Sequence, residues 1–109
     1  MTENKDVAVI LNKYDELLNN NLIKDAGEYL DSELKKAKEQ NDAFTEMTLH
    51  NEVVSLHRRT GEQAKAVTAI NEILELIEKF ELKNSVLGAN MYLNCATTLN
   101  FFKRTADSL

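Results

Sequence analysis

The sequence of 109 residues has no proline, no tryptophan, three glycines and one cysteine, and aromatic side chains make up only 6%. So few chain breakers and turn formers exclude a sandwich or barrel of many short strands. The lone Cys95 excludes an internal disulfide and points to a reducing, cytoplasmic setting. The first twenty residues lack an apolar secretion segment, because Glu3, Lys5, Asp6, Lys13, Asp15 and Glu16 interrupt them. Excess positive charge is also missing. The net charge is −5, and the basic runs are only Lys35-Lys36, Arg58-Arg59 and Lys103-Arg104. A nucleic-acid partner, which needs clustered cations for counterion release, is therefore not expected.

One absence could mislead. From Asn84 to Phe102 there is no charged residue, a stretch nearly long enough to span a bilayer. Yet Asn84, Ser85, Asn90, Asn94, Thr97, Thr98 and Asn100 interrupt it, and such groups are costly in hydrocarbon. A soluble helix with unusual faces is the expectation, with no membrane partner.

What is present favours helix. Hydrophobic residues reach 43% and charged residues 28%, proportions that a folded globular chain carries and a disordered one does not. Leu, Glu, Lys and Ala abound, and they lose little side-chain freedom in a helix. Apolar spacing near 3.6 residues predicts five helices, in a single domain over residues 1–109. The first, about 4–19, puts Val7, Ile10, Leu11, Tyr14, Leu17 and Leu18 on one face. The second, about 23–39, carries Ala26, Leu30, Leu34 and Ala37, after a turn at Asn19-Asn20-Asn21. The third, about 43–59, is capped near Asn41-Asp42, buries Phe44, Met47, Val53, Val54 and Leu56, and stops at Gly61. The fourth, about 63–80, presents Ala66, Val67, Ile70, Ile73, Leu74, Ile77 and Phe80. The fifth, about 85–102, carries Val86, Met91, Tyr92, Leu93, Cys95, Ala96, Leu99, Phe101 and Phe102. Connections of a few residues make successive helices antiparallel neighbours, whether in a closed bundle or a stacked array.

Catalytic or metal chemistry finds little support. His50 and His57 are seven residues apart, about 10 Å along a helix, too far to share one metal. Glu46 and His50 could supply two ligands, but no second pair accompanies them and no HExxH spacing exists. Cys95 falls in an apolar stripe without the electropositive surroundings that activate a thiol. Glu72, Glu75, Glu78 and Glu81 drift around the outside of the fourth helix and read as a solvated face. No phosphate-cradling loop, cysteine pair or nucleophile elbow is present. The expectation is a non-enzyme with no cofactor and no metal.

The third and fourth segments resemble the tetratricopeptide repeat, a pair of antiparallel helices about 34 residues long. His50-x2-Val53-Val54-x2-His57 matches the first helix of the repeat, followed by Gly61, Ala66 and Ile70 at the turn and in the second. The two His residues replace aromatics, Val54 replaces a small residue, and the closing proline is missing. Tyr92-x2-Cys95-Ala96-x2-Leu99 repeats the first half, with Lys103 at the glycine position and Ser108 at the alanine position. Leu11-x2-Tyr14-x3-Leu18, then Ala26 and Leu30, form a fainter copy. Corresponding positions recur after 40 and then 42 residues, similar to elongated bacterial repeats. Asn51-Glu52 and Thr60-Gly61-Glu62 resemble their signature as well.

The resemblance implies an all-α fold of antiparallel hairpins stacked into a right-handed superhelix. Hairpin one would cover about 4–40 and hairpin two about 42–81. The first helix of a third unit would cover about 85–103, leaving that unit incomplete. It also implies a protein-interaction scaffold whose groove, lined by the first helix of each hairpin, takes a peptide or partner protein. The groove positions are Asn12 and Glu16, then Asn51, Ser55 and Arg58, then Thr97 and Asn100; simple solvent exposure is the other reading of these residues. The Lys-plus-Asn set with which chaperone-binding members clamp a C-terminal carboxylate is absent, so a ligand of mixed polar and apolar character is implied. The alternative is a self-associating structural or regulatory bundle without a peptide ligand. In either case helix five, lacking a following partner, should expose Met91, Tyr92, Leu99, Phe101 and Phe102. Those residues would form a homodimer surface, or would be covered by further repeats of a longer chain.

Overall fold

The computed structural model describes residues 7–107. Five α-helices follow one another: α1 (Val7–Asn19), α2 (Ile23–Glu39), α3 (Ala43–Thr60), α4 (Gln63–Lys79) and α5 (Val86–Asp107). There is no strand among the described residues. The start expected for the first helix near residue 4, and Ser108, lie outside them. Helix α5 runs past the expected end at Phe102, because Lys103, Arg104, Thr105 and Ala106 contain no breaker and continue it to Asp107. No described helix is long and apolar enough to cross a membrane.

The four turns share one construction. Asn21, Asn41, Gly61 and Glu81 all have positive φ, at 63°, 55°, 78° and 54°, and fall twenty residues apart. The N–H of the residue after each donates back to the helix: Leu22 to Leu17, Asp42 to Ala37, Glu62 to His57 and Leu82 to Ile77, at 2.8–2.9 Å. The left-handed residue itself donates to Leu18, Lys38, Arg58 or Glu78. Each turn is thus a Schellman motif that satisfies the last carbonyls of its helix. In the first three turns the next residue already precedes a new helix. Asp42 is the best example, since its carboxylate accepts from Thr45 N–H at 3.2 Å and Thr45 Oγ1 at 2.7 Å.

The fourth turn differs. Lys83, Asn84 and Ser85 intervene before α5, and Ser85 is the cap: its Oγ accepts from Gly88 N–H at 2.9 Å and donates to the Leu82 carbonyl at 2.7 Å. From α2 onward the helix starts therefore advance by twenty residues, twenty again, and then twenty-three.

Packing divides the chain into two compact units, Met1–Leu49 and His50–Leu109, with the boundary inside α3 rather than at a turn. In the first unit α1 packs on α2. Its core holds Ile10, Tyr14, Ala26, Leu30, Ala37, Met47 and Leu49, together with the buried polar side chains Glu33 and Thr45. In the second unit α4 packs on α5. Its core holds Val53, Val54, Leu56, Ala66, Ala69, Ile70, Ile73, Ile77, Met91, Cys95 and Phe102, with His50 and Thr98.

One register recurs. Helix α2 buries Ala26, Leu30, Glu33 and Ala37, and α4 buries Ala66, Ile70, Ile73 and Ile77, forty residues on at every position. Helix α5 uses the same 4-3-4 spacing with Met91, Cys95, Thr98 and Phe102.

Several expected core positions are corrected. Phe44 is 54% exposed. It lies nine residues before Val53, half a turn away around the helix at about 100° per residue. Phe80 is 43% exposed because it terminates α4, where the Lys79 ammonium lies 5.4 Å from its ring centroid. Leu34 is only half-buried, and the neighbouring Glu33 takes the core position instead.

Candidate functional site

The densest network of side-chain hydrogen bonds between helices lies in the second unit, where α3 meets α5. Arg58 Nη1 donates to Asn94 Oδ1 at 3.0 Å and to Thr98 Oγ1 at 2.9 Å. The Asn94 amide Nδ2 reaches back to the Asn51 carbonyl at 3.1 Å, Asn51 Oδ1 at 2.9 Å and Ser55 Oγ at 3.2 Å. Asn51, Ser55 and Arg58 stand at i, i+4 and i+7, so one face of α3 carries all three. Thr98 is fully buried and Asn94 half-buried. Asn94 uses both ends of its amide in this chain of contacts, which makes the seam specific in register rather than merely adhesive.

The groove residues expected from the sequence are distributed unevenly. Asn51, Ser55 and Arg58 are brought together and half-buried, while Thr97 and Asn100 on α5 are exposed. Asn12 and Glu16 are exposed on α1, in the other unit. Asn94 and Thr98 were missed as site residues. The signal available was the density of Asn and Thr in the uncharged part of α5, up to Phe102, since Asn is intrinsically unfavourable in a helix.

The surface assigned to self-association also changes. Met91 and Phe102 are buried, 2% and 7% exposed, because they belong to the 4-3-4 face of α5. They leave the exposed patch. Tyr92 is half-buried, and Leu99 and Phe101 remain exposed. Val86 and Leu93 are the most exposed large hydrophobic side chains among the described residues of α5, at 79% and 66%.

His50 is buried, and its Nε2 lies 3.1 Å from Glu72 Oε2, bringing a side chain of α3 next to one of α4. His57 Nδ1 is 3.6 Å from Glu62 Oε1. The Glu62 carboxyl is held below the usual range, chiefly by Lys65 Nζ at 3.0 Å and then by the Thr60 hydroxyl at 3.1 Å. Burial pushes the Cys95 thiol up. Among the described residues, no three His, Cys, Asp or Glu side chains lie together as a metal site.

The first unit has a smaller feature, a cleft of about 210 Å³ lined by Ile10, Glu33, Lys36, Ala37 and Thr45 among others. Glu33 is 5% exposed, and its carboxylate is 3.5 Å from Lys36 Nζ.

Fold and site together define an all-helical chain with a hydrogen-bonded polar seam between α3 and α5. No family model, no curated protein and no solved structure matches it.

Proposed function

We propose that the chain is a tetratricopeptide-like, non-enzymatic scaffold whose hairpins stack into a right-handed superhelix. It binds a peptide or partner protein along the surface that α3 and α5 share. The observation that carries this reading is the Asn51–Ser55–Arg58 row on α3, engaged by Asn94 and Thr98 on α5. Such a row holds two non-consecutive helices side by side, the arrangement a groove of first helices requires. Thr97 and Asn100 extend the polar surface outward from it. Recognition there depends on a rigid, pre-ordered surface. Net charge of −5 favours protein over nucleic acid as partner. The single, buried Cys95 suits a reducing bacterial cytoplasm.

Panning a displayed peptide library against the full chain tests the reading. Recovered peptides should lose binding to Thr97→Lys and Asn100→Lys variants that melt normally. Failure to recover any peptide, or binding untouched by both substitutions, would count against it.

The second reading, a self-associating protein without a peptide ligand, is favoured by the exposed Val86, Leu93, Leu99 and Phe101 of α5. Sedimentation equilibrium at micromolar concentration separates the two. A dimer that Leu93→Asp converts to monomer supports self-association through this helix, and a monomer in the wild type removes it.

A further inference from the structure

We infer that the partner is read at this seam through a carboxylate and that Arg58 receives it, an inference that rests on the scaffold reading above. Arg58 is half-buried, yet its hydrogen bonds go to a carboxamide and a hydroxyl, both neutral. Its Nε and Nη2 make no hydrogen bond or ion pair with any described residue. The charge is therefore fixed in place from one side and uncompensated on the other. Elsewhere the chain pairs cations with acids, as in Lys36 with Glu33 and Lys65 with Glu62. A partly desolvated guanidinium gains most from an anion that accepts two parallel N–H bonds, and carboxylate has that geometry.

The surroundings specify more. Asn94 commits its amide nitrogen to Asn51 and Ser55, which turns its oxygen to Arg58 and sets the guanidinium before any ligand arrives. Less side-chain freedom is then lost on binding. No acid occurs on α5 before Asp107, so an acidic ligand that the net charge of −5 repels elsewhere meets no repulsion from this helix. Thr97 and Phe101 follow Asn94 at i+3 and i+7 on the same face, and both are exposed. The ligand chemistry that fits is an Asp or Glu side chain beside an apolar residue in an extended segment.

An array of N-acetylated peptides tests this. Each Asp or Glu peptide is paired with its Asn or Gln counterpart, and every sequence carries either a free or an amidated C-terminus. The full chain should retain acidic peptides bearing a neighbouring Leu or Phe about tenfold more strongly than their amide counterparts. Arg58→Gln should erase that preference, and Arg58→Lys should keep part of it. In the wild type, an acidic peptide should shift the Arg58 Nε–H signal in a nitrogen-resolved NMR spectrum, a readout that does not depend on any variant folding. A preference that follows the free C-terminus and vanishes in Arg58→Gln keeps the carboxylate and moves its source to the chain end. Equal retention of acid and amide peptides overturns this inference alone. Retention of no peptide overturns the scaffold reading and this inference with it.

Discussion

The Cα of Gly88 faces the carbonyl of Leu82 so closely that no Cβ fits between them. That carbonyl also accepts from Ser85 N–H at 3.0 Å and from Ser85 Oγ, so backbone and cap hold it in place. Gly88 is thus the residue that allows the longer fourth turn to fold against the start of α5. Alanine would improve helix propensity by about 1 kcal/mol. The collision with an immobile backbone oxygen should outweigh that gain, so Gly88→Ala is expected to lose about 1–3 kcal/mol net. Thermal unfolding checks the sign, and a higher melting temperature would contradict the geometry.

Glu81 and Gly61 occupy equivalent turn positions with opposite conformational costs. Glu81 carries a side chain at φ 54°, whereas Gly61 at φ 78° does not. The left-handed conformation costs an L-residue about 1–2 kcal/mol, part of which glycine returns as backbone entropy. Glu81→Gly should therefore stabilise by about 0.5–1 kcal/mol. Gly61→Ala should destabilise by about 1 kcal/mol. A Cβ there would touch nothing within 4 Å, so the loss would be purely conformational. Chemical denaturation midpoints should move in opposite directions for the two variants.

The helix boundaries were largely legible because two local signals coincide: the 3.6-residue stripe fixes each helix, and Asn19-Asn20-Asn21, Asn41-Asp42 and Gly61 mark the first three turns, whereas Glu81, the left-handed residue of the fourth, carries no such signal. Helix α2 spans the expected 23–39, and α4 differs from its expected end by one residue. What was not legible depends on other helices. Glu33 and Thr98 occupy core positions that in α4 belong to Ile73, and no count of apolar residues points to them. Thr98 is buried because Arg58, forty residues earlier, supplies its partner. The same nonlocality hid Asn94 and misassigned Met91 and Phe102 to the surface, since their burial is decided by which face α4 covers.

Cys95 is 3% exposed, and burial raises its pKa, which keeps the thiol protonated at neutral pH. Alkylation requires the thiolate and an open approach. Iodoacetamide at pH 7.5 should leave the folded chain unlabelled for as long as it remains folded, and label it rapidly in denaturant. Stoichiometric labelling under native conditions, read by intact mass, would show that the α5 core opens readily.

The link from Arg58 to Thr98 supplies the sharpest test of the seam. Thr98→Val keeps the shape of the side chain but removes the acceptor, leaving Asn94 as the partner of Arg58 Nη1. The expected cost is about 1–2 kcal/mol, the value of a hydrogen bond to a charged donor less the gain from burying a methyl group. Asn94→Ala should cost more, since it also strips Asn51 Oδ1 and Ser55 Oγ of their common donor. Because both substitutions act on the same guanidinium, their combined effect should depart from additivity by at least about 0.5 kcal/mol. Urea unfolding of the two single variants and the double variant measures this coupling. Strict additivity would mean that Arg58 does not bind Asn94 and Thr98 as one unit, and the α3–α5 seam would then be two separate contacts rather than a network.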